Sequence, residues 1–110
     1  MHAMLYFTAK DLTDATRIAR HLLDRRLIAC ANVLPVRSLY RWKGKVVDEM
    51  EAVAICKTRR ALVRTAIAAA KKVHTYEVPC IVSYEMASGL AAYTKWIDSE
   101  TKGPRRLRAT

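Results

Sequence analysis

The spacing of apolar positions along this 110-residue chain switches between two rhythms, and each switch marks an element. Met4 to Ala9 is a short, aromatic-bearing apolar run of the kind that forms a buried strand. After Lys10-Asp11 the period lengthens, and Leu12, Ala15, Ile18, Ala19, Leu22 and Leu23 recur at helical spacing. Asp11 and Asp14 stand where a helix start favours caps and negative charge, Arg25 and Arg26 where its end favours cations. The pattern predicts an amphipathic helix over 12–26. Ile28 to Leu34 returns to a strand, which Pro35, lacking a ladder N–H, is expected to break or bend. Beyond it Arg37 to Trp42 alternates, with Ser38, Tyr40 and Trp42 on one face, and Gly44 within Lys43-Gly44-Lys45 supplies a turn. Residues 46–57 run back as a strand with Met50, Ala52, Ala54 and Cys56 on one face and Glu49, Glu51, Val53 and Ile55 on the other.

Thr58 is expected to cap a second helix whose stripe is Leu62, Val63, Ala66, Ile67, Ala70 and Val73. Residues 74–79 read as a loop, 80–86 as a fourth strand, and a short last helix bearing Tyr93, Trp96 and Ile97 follows Gly89. The order defines an α+β fold, a ferredoxin-like βαββαβ sandwich with a long hairpin between its second and third strands and an extra C-terminal helix. One domain over 1–101 is expected, followed by a basic tail at 102–110. The hairpin is long for so small a domain, so its tip should project beyond the core and leave edges that want pairing or cover.

Composition narrows the classes. With 52% apolar and 27% charged residues the chain is neither disordered nor membrane-spanning, and no apolar run approaches the roughly 20 residues of a spanning helix. Met1 to Phe7 lacks the cationic opening and cleavage site of a secretory signal, which points to the cytoplasm. Twenty Lys and Arg against ten Asp and Glu leave a net charge of +10. Lys57, Arg59, Arg60, Arg64, Lys71 and Lys72 carry much of it, with no acid among them. Such an excess permits salt-sensitive association with nucleic acid, yet no base-reading module is visible. The third strand, Glu51 to Cys56, lacks the stacking aromatics that an RNA-recognition sheet needs. The basic run therefore reads as a solvated helix face, and neither nucleic acid nor membrane is expected as a partner.

The fold leaves the chemistry open. Thr8-Ala9-Lys10-Asp11 has no glycine to cradle a phosphate, which argues against a phosphatase. Cys30, Cys56 and Cys80 make no Cys-x-x-Cys spacing, which excludes zinc fingers and the usual metal-carrier loop, and their apolar surroundings predict three buried, reduced thiols. His74, Tyr76, Glu77 and Cys80 hold acid, base and nucleophile on paper, but residues flanking a loop are no catalytic dyad until shown within reach. No catalytic residue is assigned, and an enzyme is not expected.

The segment Ala29-Cys30-Ala31-Asn32-Val33-Leu34-Pro35, followed by Ser38-Leu39-Tyr40-Arg41-Trp42-Lys43-Gly44-Lys45, resembles the CutA family of divalent-cation tolerance proteins. Lys57-Thr58, His74-x-Tyr76-x-x-Pro79 and Tyr93-x-x-Trp96-Ile97 extend the likeness over nearly the whole chain up to the tail. The resemblance implies a ferredoxin-like fold, a homotrimer whose hairpins engage neighbouring subunits, a non-catalytic part in metal-ion tolerance and, in some members, copper binding. Two departures stand out. The family loop reads His-Pro-Tyr-x-x-Pro-Glu, whereas Thr75 and Cys80 occupy the first Pro and the Glu positions here. Some copper-binding relatives use a strand-one Cys and a His-His pair, and this chain has Phe7 and Val73 at those places.

Several candidate roles follow. His74 and Cys80 form a possible metal pair near the 74–80 loop, since imidazole plus thiolate suits copper or another divalent cation, at micromolar affinity or weaker. Lys57, Tyr76 and Trp42 are candidates for lining an intersubunit cleft. The alternative function is a trimeric sensor of the PII type that binds a small anion there, with Lys57 as its cation. Tyr40 and Trp42 are candidate interface anchors. Against each stands a plainer role: a hydrogen-bonded structural histidine, a paired surface lysine, a tryptophan packed on its own subunit.

Overall fold

In the computed structural model, which describes residues 1–102, β1 (His2–Ala9) alternates strictly and buries Ala3, Leu5, Phe7 and Ala9. The helix α1 (Leu12–Asp24) starts at Asp11, whose side chain accepts the Asp14 N–H at 2.8 Å. It buries Ala15, Ile18, Ala19 and Leu22, four members of the expected stripe. It ends two residues before Arg26, which takes φ 59°. The Arg26 N–H donates to the Leu23 carbonyl and the Leu27 N–H to that of Leu22, a Schellman closure with arginine where glycine is usual.

The next two strands are longer than the apolar pattern indicates. β2 (Cys30–Trp42) and β3 (Lys45–Arg59) pair without interruption from Cys30↔Lys57 to Trp42↔Lys45. Pro35 does not break β2. It lies opposite Ala52 on an edge strand, where a missing N–H can face away from the ladder. Lys43 (φ 51°) and Gly44 (φ 80°) form the tight turn, two positive φ values that match the twist of a two-residue hairpin.

Thr58 does not cap a helix. It is a fully buried residue of β3 whose hydroxyl donates to the Leu27 carbonyl at 2.7 Å. A short 3-10 turn, Arg60–Leu62, intervenes before α2 (Val63–Val73), and neither has a side-chain cap. β4 (Ile81–Glu85) and α3 (Ala91–Glu100) complete the chain. Of the basic tail expected at 102–110, all but Lys102 lies outside the described residues.

The strand order is β2-β3-β1-β4, antiparallel throughout. Helices α1 and α2 cover one face, where Leu5, Phe7, Ile18, Leu22, Ala52, Ala54, Cys56, Ala66 and Ala70 form the core. On the other face Tyr6, Leu34, Val82 and Tyr84 are left half-covered or exposed. β1 pairs with β3 only as far as Ala9↔Ala52. The rest of the hairpin, residues 36–51, extends as a two-stranded ribbon, and about seven residues per strand carry it roughly 23 Å past the core. Met50 shares its strand face with Ala52, yet it lies on this ribbon and is 63% exposed.

Candidate functional site

At the base of the ribbon, where it leaves the sheet, the 74–80 loop crosses and encloses an open cavity of about 660 Å³. Thr8, Tyr40, Trp42, Glu49, Glu51, Tyr76, Glu77 and Cys80 are among its walls. The loop is anchored from α1. Arg17 donates to the buried Asp14 carboxylate at 2.8 Å and to the Val73 carbonyl at 2.7 Å, and Thr75 reaches the other Asp14 oxygen at 3.4 Å. The residue that replaces the family proline thus ties the loop to the helix.

His74 is used on both sides of its ring. Nε2 lies 2.7 Å from the Thr8 carbonyl, to which it donates, and Nδ1 accepts the Tyr76 N–H at 3.0 Å. These two bonds select the neutral tautomer with the proton on Nε2. As a metal ligand His74 would first have to give up one of them. Cys80 meets it at the same residue, because the Thr8 N–H donates to the Cys80 carbonyl at 3.2 Å. The Cys80 side chain is exposed and borders the cavity and Cys30 is half-buried, so of the three thiols expected to be buried only Cys56 is. Partial burial and, secondarily, Glu51 push its thiol up, so near neutrality it is a protonated thiol and no activated nucleophile.

The ordered part of the cavity is a pair of carboxylate–phenol bonds. Tyr76 donates to Glu51 Oε2 at 2.5 Å, and Tyr40 donates to Glu49 Oε1 at 2.6 Å across the hairpin. Glu49 and Glu51 share one strand face, and Tyr40 reaches Glu49 from the diagonal position. Glu51 is 7% exposed. Burial, the bond to Glu51 and the charges of Glu51 and Glu49 raise the Tyr76 phenol, so it stays a donor at any physiological pH. The bond to Glu49, foremost, holds Tyr40 up at about 12.

The structure brings Tyr40, Trp42, Tyr76 and Cys80 to the cavity but not Lys57. The Lys57 ammonium donates to Asn32 Oδ1 on the neighbouring strand. It sits toward the far end of the sheet, where Tyr93 of α3 approaches Cys30 to 3.3 Å. Glu49 and Glu51 belong to the site although residue types alone did not mark them. Their common face was legible from alternation, and what was missing was the loop that lays Tyr76 over them. Among the described residues no three His, Cys, Asp or Glu side chains converge as a metal-holding group.

Cys56 is fully buried beneath this region, and burial, with Cys30 adding to it, pushes its thiol from 9.0 up to about 12. Between those values the unfolded chain has lost the proton that the folded chain keeps. Folding stability therefore falls as pH rises from 9 to 12, and this group has no effect below 9. Urea midpoints measured across that range should fall more steeply in the wild type than in Cys56→Ala; parallel curves would show that another group carries the dependence.

The sheet order, the two helices on one face and the overlong hairpin define the ferredoxin-like α+β class. Within it, the CutA1 divalent ion tolerance protein family matches residues 3–100. The divalent-cation tolerance protein CutA of Archaeoglobus fulgidus is 38% identical over 98 residues, which is 89% of this chain and 96% of that one. That of Pyrococcus horikoshii is 37% identical over 99 residues, 90% and 97% of the respective chains. The solved structure of the periplasmic divalent cation tolerance protein CutA from Archaeoglobus fulgidus superposes with a TM-score of 0.90 at 36% identity, covering 93% of this chain and all of that one. The chain belongs to the CutA family. Its general role is divalent-cation tolerance, and the family is not a known enzyme family.

Proposed function

We propose that the chain acts without catalysis, as a cytoplasmic homotrimer whose hairpin cavity receives cations in divalent-cation tolerance. The observation that carries this reading is the charge of the cavity. In a chain of net charge +10, Glu49, Glu51 and Glu77 gather at one concave site, and none makes an ion pair among the described residues, while the cation of the lining, Arg37, is neutralised by Asp48. Such a site attracts cations and repels anions. The PII-type reading needs a cationic cleft, and its candidate, Lys57, is held by Asn32 outside the cavity.

The trimer has its own support. A two-stranded ribbon is marginally stable in water unless something packs on it, and this one exposes Leu39, Tyr40, Trp42, Val46 and Met50. Three copies in a ring cover such ribbons by heterologous contacts without growing a filament. Three free thiols and the absence, among the described residues, of any helix long and apolar enough to cross a membrane are compatible with the cytoplasm.

Copper is the natural first ion to try, with Cys80 on the cavity wall and His74, bonded to Thr8 and Tyr76 and not itself in the wall, as the candidate donors. Cys80 must lose a proton and His74 a hydrogen bond, so micromolar or weaker affinity is expected. Titration of Cu(I) and Zn(II) into the wild type and His74→Ala tests this. A binding curve weakened several-fold in the variant keeps His74 in the site, and identical curves remove it.

A further inference from the structure

At the end of the sheet away from the ribbon, His2 of β1 pairs with Arg59, the last residue of β3. The chain turns there into the 3-10 segment and α2, and a second open cavity of about 550 Å³ forms between these elements and α3. Arg59, Arg60 and Arg64 stand in its wall with a single carboxylate, Asp98. The fold thus gathers three arginines of the basic run at one concave place and leaves Lys71 and Lys72 at the other end of the helix.

The three guanidiniums are held differently. Arg59 is half-buried and spends Nε and Nη2 on Thr101, at 3.0 and 2.6 Å, which fixes its plane and keeps Nη1 for another partner. Arg60 lies 2.9 Å from Glu85 through Nε and keeps both Nη groups. Arg64, exposed and one turn further on, makes no ion pair among the described residues. Both nearby carboxylates are engaged, Glu85 by Arg60 and Asp98 by His2 Nε2 at 2.8 Å. Three cations against two satisfied acids favour an anion, and guanidinium forks match phosphate oxygens in particular. Arg60 and Arg64, four residues apart, are neighbours along one side, a spread that suits linked phosphates better than a single one. Apart from His2, which Asp98 holds, no ring stands in the wall on which a base could stack.

We propose that this cavity binds an oligophosphate, two or more linked phosphate groups, inorganic or at the end of a nucleotide, with Arg59, Arg60 and Arg64 on its oxygens. The site is complete within one copy. The eight residues of β1 put it about 23 Å from where the ribbon leaves the sheet, and it shares no residue with the ribbon surface that the proposed assembly covers. Lys57, the cation of the PII-type reading, is not in its wall, and neither is any residue of the hairpin cavity.

Calorimetric titration of the full-length protein with tripolyphosphate, ATP and orthophosphate tests the proposal, without divalent cations and at constant ionic strength near 0.15 M. Tripolyphosphate should bind saturably, one per copy, and orthophosphate weaker by about tenfold or more, the loss of a charged hydrogen bond. Equal affinity for tripolyphosphate and ATP makes the linked phosphates the whole ligand, and a preference for either names its source. Arg64→Ala should weaken tripolyphosphate by a similar factor while its circular dichroism and thermal midpoint without ligand stay those of the wild type. If it does not fold, Arg60→Ala serves with the same expectation. Lys72→Ala, which removes an exposed cation of α2 outside the cavity, should bind as the wild type does, and so should Tyr40→Ser/Trp42→Ser. Absence of saturable binding, an equal response to orthophosphate, or a loss in Lys72→Ala as large as in Arg64→Ala overturns the proposal. Binding confined to Tyr40→Ser/Trp42→Ser overturns it too, because assembly would then cover the cavity.

Discussion

With Tyr40 and Trp42 both replaced by serine, the chain is expected to run in light scattering at about 12.5 kDa, the mass of one copy, and the wild type, as the proposed trimer, at three times that value. The two rings lie on one side of a ribbon that reaches past its own core, and they remain 39% and 43% exposed there. An aromatic side chain buries about 150–250 Å² when fully covered. At about 25 cal/mol per Å², covering the exposed two-fifths of each ring adds roughly 3–5 kcal/mol per pair before any gain from close packing. A ring of three copies repeats that gain at every junction, so losing it thrice separates the copies at micromolar concentration. Tyr40→Phe removes only the bond to Glu49 and keeps the ring, and it should stay trimeric. A double variant that keeps the wild-type mass would place the anchors elsewhere.

The same ribbon shows which parts of the fold can be read without coordinates. Helical period placed α1 and α2 because each buries one stripe against a sheet, and Ala15, Ile18, Ala19 and Leu22 lie where the spacing puts them. Alternation likewise assigned the two faces of β3. Pro35 was misleading because the rule against proline in strands holds for central positions, and nothing in local sequence tells that β2 is the edge. Thr58 misled for a related reason. A threonine before a helical stripe looks like a cap, but the ladder with β1 runs one residue past it and buries its hydroxyl against Leu27. Cys80 differed because its exposure depends on the ribbon leaving that end of β4 uncovered. The cavity was the least legible part. It joins residues from three stretches, 8, 37–51 and 76–80, and its key contact, Tyr76 on Glu51, spans 25 positions. Motif matching found Tyr76 and Trp42, whereas the charge of the site needed the register that sets Tyr40 diagonal to Glu49.

Phe7→Ala is the substitution expected to cost most within a single copy, about 3–5 kcal/mol of unfolding free energy, which is a large share of a stability of roughly 5–15 kcal/mol. Phe7 is fully buried at mid-sheet, paired with Ala54 of β3 on one side and Ile81 of β4 on the other. The core it joins includes Ala15, Ala19, Ala52, Ala54, Ala66 and Ala70, which have no side-chain length with which to fill a ring-sized void. The surrounding wall therefore cannot collapse, and the cavity term stays near its maximum. Phe7→Leu keeps most of the volume and should cost less than about 1.5 kcal/mol. Urea midpoints give both values, measured in the Tyr40→Ser/Trp42→Ser background so that association does not add to the apparent stability. A cost below about 1 kcal/mol for Phe7→Ala would mean that the helices can close onto the sheet. That collapse would also move Thr8, the next residue, whose carbonyl holds His74 and through it Tyr76 and Glu51, so the core and the hairpin cavity would be disturbed together.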